Sequence, residues 1–143
     1  MGALLCAVGV ALAINGCGGD SGPERAEVSG SVTFAGQPIE TGSIAFIPDG
    51  ATSGPSVGGS IRDGMYHIPR SEGPVIGTHR ILIQATRPTG QQVEAGEGAD
   101  DPAAMVDEVE MYIPERYNRN SELTADVQPG SNQFDFALEG DGS

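Results

Sequence analysis

The chain has 143 residues, enough for one domain with a real core and too few for two comfortable ones. Seven basic residues against 20 acidic ones give a formal net charge of −13 and a pI near 4.2, which repels phosphate backbones and anionic lipid surfaces and excludes a nucleic-acid binder. Hydrophobic residues make up 38%, and the 22 glycines and 10 prolines punctuate apolar runs instead of forming tracts, which is the composition of turns between many short strands.

The first stretch, residues 3–14, is apolar and carries no charge. A bilayer span needs about 20 such residues, so this run is too short to cross; it fits the h-region of a signal peptide. Both cysteines, Cys6 and Cys17, lie within the first 17 residues, so the rest of the chain has neither a disulfide framework nor a thiolate metal site. Ile14-Asn15-Gly16-Cys17 resembles the lipobox of bacterial lipoproteins. That resemblance implies a signal peptide over residues 1–16 and acylation of Cys17 with palmitate-type chains. The tether over residues 17–25 contains Gly18-Gly19-Asp20-Ser21-Gly22-Pro23. Asn15 departs from the usual Ala or Ser, and no Lys or Arg precedes Arg25, which leaves the translation start open. The competing reading is an apolar tail with a fortuitous cysteine.

Strand signals then recur at intervals of roughly ten residues. In VSGSVTF, Val28, Gly30, Val32 and Phe34 share one face, and a turn at Gly36, Gln37 and Pro38 follows. Further strands are expected at residues 43–48, 57–61, 65–68 and 78–87. Asp63-Gly64 between two of them suits a two-residue hairpin turn, because both central positions take positive φ. Leu123, Ala125 and Val127 alternate with polar residues, as do Phe134, Phe136 and Leu138, and Pro129-Gly130-Ser131-Asn132 separates the two runs. This pair reads as a hairpin. The fold expected is all-β, a single antiparallel β-sandwich of about seven strands over residues 26–139, with a disordered tail at 140–143.

Residues 91–115 break the rhythm with eight carboxylates and no Lys or Arg. They read as a long acidic insertion before the last two strands, mobile over 91–104 and with a short helical turn at 105–111. Glu97, Asp100 and Asp101 are its weak candidates for Ca²⁺, since clustered carboxylates supply oxygen ligands. No Asp-x-Asp-x-Asp-Gly spacing supports them, and a solvated acidic loop is the plainer reading.

Val28-x-Gly30-x-Val32, Gly36-x-Pro38-Ile39, Gly42-x-Ile44-x-Phe46 and Ile61-x-Asp63-Gly64-x-Tyr66-x-Ile68 resemble the carboxypeptidase regulatory-like family. Gly77-Thr78-His79-Arg80-Ile81 is similar to that family's next strand. The resemblance implies a transthyretin-like (prealbumin-like) sandwich. More narrowly, the chain is similar to small lipoproteins of planctomycete-type bacteria, through Gly16-Cys17-Gly18-Gly19, Ile113-Pro114-x-x-Tyr117-Asn118 and Gly130-x-Asn132-x-Phe134-x-Phe136-x-Leu138. It carries fold and address but no catalytic residues.

Side chains with chemistry are few. His67 sits between Tyr66 and Ile68 and is expected to face solvent; His79 shares parity with Ile81 and Ile83 and reads as a satisfied structural histidine at the edge of the core. Two histidines without cysteine cannot assemble a His-rich zinc site. Gly54-Pro55-Ser56-Val57-Gly58 has the glycines of a nucleophile elbow without its strand-to-helix context. Tyr117 and Asn118 read as a packed corner. The functional expectation is a non-enzymatic, cofactor-free lipoprotein of the cell envelope. It would be held to a membrane through Cys17, with its domain in the periplasm or outside the cell. The alternative is a module binding carbohydrate or a protein through its loops, with Ca²⁺ in the acidic insertion.

Overall fold

The computed structural model describes residues 22–140, so Cys17 and the lipobox-like segment lie outside the described residues. Ten strands follow in order: β1 (Glu27–Phe34), β2 (Gln37–Pro38), β3 (Thr41–Pro48), β4 (Val57–Arg62), β5 (Met65–Ile68), β6 (Gly77–Glu94), β7 (Met105–Met111), β8 (Thr124–Val127), β9 (Ser131–Gln133) and β10 (Phe136–Leu138). Single 3₁₀ turns occupy Arg70–Glu72 and Glu115–Tyr117. No α-helix occurs among the described residues, and no helix there is long and apolar enough to cross a membrane.

The strands form one open hydrogen-bonded network in the order β10-β1-β5-β4-β3-β6-β7, with β2 and β9 on β1 and β8 on β6. Every pairing is antiparallel except those of β9 and β10, which run parallel to β1. The seven expected strands are all present. β2 and β7 are additional, and the last expected strand is broken in two.

Alternation buries one side-chain face of each main strand in a single apolar cluster. β1 contributes Val28 and Val32, β3 Ile44 and Phe46, β5 Tyr66 and Ile68, and β6 Ile81 and Ile83. Phe46 lies centrally, with ring centroids of Tyr66, His79 and Phe134 6.2–6.4 Å away. Each such side chain, fully buried, contributes about 1.5–3 kcal/mol. Asp63 and Gly64, at φ 51° and 77°, form the expected tight turn. That turn is also bound from outside: Gly64 N–H donates to Ile39 O (2.7 Å), and Val32 N–H donates to Gly64 O (2.8 Å).

Three expectations are corrected. Met105–Met111 is a strand, not a helical turn, and with β6 it turns the acidic insertion into a β-ribbon. The apolar residues there have no period because neither face of the ribbon is buried, so nothing demands one. The expected C-terminal hairpin does not form: β8 pairs with β6, and β9 and β10 pair with β1. Asn132 diverts the chain. Its side chain accepts from Gln128 N–H (2.9 Å) and donates to the carbonyls of Gln128 (2.8 Å) and Glu27 (3.3 Å), fastening the loop to β1. Lastly, the expected tether is docked at Arg25, which bridges to Val75 and donates to Gly73 O at 2.8 Å.

Gly30 makes room for the close approach of the segment between β9 and β10, which both lie along one edge of β1. The Phe134 carbonyl fills the place a side chain would take at Gly30, so any Cβ would overlap it. Tyr66, the cross-strand partner of Gly30, covers the same spot and donates its hydroxyl to Phe134 O (2.7 Å).

Candidate functional site

β6 outruns β3, whose last partner on it is Ala85, and continues into the ribbon with β7. Residues 86–94 extend it by about 25–30 Å at strand rise. Residues 95–104 close the tip through Ala95 N–H to Ala104 O (2.8 Å) and Gly96 N–H to Pro102 O (3.0 Å). Side chains lace the two strands: Arg87 Nε donates to Glu110 (2.8 Å), Thr89 Oγ1 to Glu108 (2.8 Å), and Gln92 Nε2 to Asp107 (3.2 Å). These are exposed contacts worth little individually. Of the six large hydrophobic residues exposed among the described residues, five are on the ribbon: Val93, Met105, Val106, Val109 and Met111. Apolar groups left in water beside seven carboxylates mark a surface for contact.

At the ribbon's root a cleft of about 590 Å³ opens between β6 and the β1–β2 turn. Phe34 and Tyr112 meet edge to face inside it, centroids 5.5 Å apart, and the Arg87 guanidinium lies 4.8 Å over the Tyr112 ring. Burial raises the Tyr112 phenol above its ordinary pKa, Arg87 opposes that shift, and Glu40 adds to it. The phenol is therefore neutral at physiological pH. Glu40 and Asp63 also line the cleft, so it offers aromatic faces, one cation and two carboxylates, with no histidine among its lining residues.

The residues singled out from the sequence are dispersed. Glu97, Asp100 and Asp101 are exposed at the ribbon tip, where Asp101 accepts from Ala103 N–H at 3.1 Å. Among the described residues no three acidic, histidine or cysteine side chains converge to hold a metal. His67 is exposed, 3.5 Å from Glu27. His79 is fully buried, not at the edge, and only half satisfied: Nδ1 lies 3.0 Å from Gly77 O, and Nε2 has no partner. Since a carbonyl only accepts, Nδ1 carries the proton. Ser56 is exposed just before β4, with no helix after it. Asn118 is buried at a packed corner, donating to the carbonyls of Ile113 (3.3 Å) and Pro114 (3.2 Å), and Tyr117 Oη accepts from Glu139 N–H (3.0 Å).

No family model, curated protein or solved structure matches this chain. Sequence reading missed both the ribbon and the cleft. The available signal was Val93 with Val106 and Val109, β-formers on either side of a Gly-rich tip.

Proposed function

We propose that this chain is a membrane-anchored lipoprotein of the cell envelope, and that its β-domain, a transthyretin-like sandwich facing the periplasm or the exterior, is a non-catalytic interaction module. The observation that carries the module reading is the exposed apolar and acidic ribbon of β6 and β7. A two-stranded ribbon in solvent encloses no dry volume in which to position an acid and a base, but it presents a long surface to a partner. The anchor reading is supported by Ile14-Asn15-Gly16-Cys17 and the glycine-rich residues after it. Two acyl chains would give the stable attachment that one chain does not.

Radiolabelled palmitate tests the anchor. Label should enter the parent protein and be lost in Cys17→Ser, which should also leave the membrane fraction; labelling retained in the variant would refute it. A second reading draws on the Phe34–Tyr112 cleft with Glu40, Asp63 and Arg87, which suits a glycan or another small polar ligand. Specific signal on a glycan array, lost in Tyr112→Ala, would favour that reading. A melting temperature raised by Ca²⁺ would favour its cation-assisted form.

A further inference from the structure

The geometry points to the free edge of β7 as an acceptor strand: we propose that it binds an extended, Lys/Arg-bearing segment of a partner protein by strand addition. The inference rests on the reading of the domain as an interaction module and names the partner's chemistry. Two hydrogen bonds bracket the strand. Tyr112 N–H reaches Ala85 O (3.4 Å), and Ala104 O receives Ala95 N–H (2.8 Å). In an antiparallel ladder these fix the phase, so even-numbered residues from 104 to 112 turn their backbone groups toward β6. Met105, Asp107, Val109 and Met111 turn theirs away. Among the described residues no strand pairs with β7 on that side.

The ribbon's other edge is closed to such pairing. By the same phase Pro88 faces outward from β6, where it has no N–H to give, and the register shifts between Pro88 and Gln92. β7 has no proline, no glycine and no shift, so the regular edge of the ribbon is β7's.

Charge selects the occupant. MVDEVEM holds three carboxylates and no base, the tip adds Glu97, Asp100 and Asp101, and the ribbon's one cation, Arg87, is bonded to Glu110. An added strand meets Met105, Asp107, Val109 and Met111 on one face, and Val106, Glu108 and Glu110 on the other. A segment alternating apolar and basic residues gives apolar contacts to Met105, Val109 and Met111 on one face and opposite-charge cross-strand pairs to Glu108 and Glu110 on the other. A second copy would set two rows of carboxylates side by side, which like-charge repulsion opposes.

The test uses the full chain and a labelled, end-blocked peptide of about eight residues alternating valine and lysine, with its valine–glutamate counterpart as control. The lysine peptide should bind in a salt-sensitive way and the glutamate peptide should not. Val109→Pro removes one outward N–H while leaving the bonds to β6, and should weaken binding roughly tenfold; Val109→Thr should stay within about twofold. Circular dichroism and melting check that Val109→Pro is folded. Glu108→Gln with Glu110→Gln, which touches side chains only, should flatten the salt dependence and serves if the proline variant unfolds. Lysine-peptide binding that survives Val109→Pro overturns the edge inference but keeps an interaction module. Absent binding, or equal binding of the two peptides, also overturns it. A dimer in sedimentation that Val109→Pro abolishes assigns the edge to a second copy and likewise overturns the basic-segment partner. Palmitate labelling at Cys17 reads the anchor independently of all these outcomes.

Discussion

Gly30→Ala is the sharpest perturbation of this fold. An alanine Cβ would occupy the place of the Phe134 carbonyl, which is backbone and cannot swing aside as a side chain would. The segment between β9 and β10 would have to lift. Two bonds break at once: Phe134 N–H to Ser29 O (2.9 Å) and Tyr66 hydroxyl to Phe134 O (2.7 Å). At about 0.5–1.5 kcal/mol each, with the buried Tyr66 hydroxyl then left unpaired, the cost is about 2–3 kcal/mol. For a domain of this size roughly 4 °C of melting temperature accompanies each kcal/mol, so the midpoint should fall by about 8–12 °C. Thermal melts followed by circular dichroism measure that, and amide exchange at Phe134 reports where the loss sits. Gly58→Ala is the control. It lies in β4, with Ile44 O at 3.3 Å as the only close atom, and should stay within about 0.5 kcal/mol of the parent. A Gly30→Ala protein melting within roughly 3 °C of the parent, with Phe134 equally protected, would refute the close approach of the Phe134 backbone to β1.

Further expectations are simpler to state. Phe46→Ala empties the centre of the core and should cost about 3–5 kcal/mol, lowering the urea midpoint by roughly 2 M. Burial, with the nearby Asp135 charge second, pushes the Tyr66 hydroxyl well above its ordinary pKa. The folded state therefore holds its proton where the unfolded chain releases it. Stability should be intact below about pH 10 and decline above it, and Tyr66→Phe should flatten that decline in an alkaline denaturation series. Asp135 shows the opposite sign: hydrogen bonds from Ser31 N–H and Oγ hold its carboxyl below the usual range. Its share of stability is present above about pH 4 and lost below, so the acid limb of stability against pH should be shallower in Asp135→Asn.

How legible the fold was depended on whether a strand had a buried face. β1, β3, β5 and the first half of β6 each alternate because one face enters the core, and Asp63-Gly64 announced its turn by chemistry alone. The second half of β6 and all of β7 are exposed on both faces, so their residues carry no period and their carboxylates read as loop. Partner choice was less legible still. Leu123, Ala125 and Val127 look the same whether β8 pairs with β6 or with the strand after it. The deciding groups were the Asn132 amide and the bare Cα of Gly30, single residues whose meaning depends on chain more than 100 positions away. The cleft was hidden for a similar reason, since Phe34 and Tyr112 are distant in sequence and meet only once β6 and β7 pair.

β1 also dictates when the domain can exist. One of its edges is completed by β5, soon after it in the chain, and the other only by β9 and β10, with Ser31 and Asp135 joined across 104 residues. Closing such a loop costs about 4 kcal/mol in chain entropy before the contacts repay it. A growing chain therefore carries an open β1 edge until β9 and β10 emerge, and loss of residues 131–138 would leave that edge open for good. β9 and β10 act as the latch on β1, so the domain cannot close before they pair.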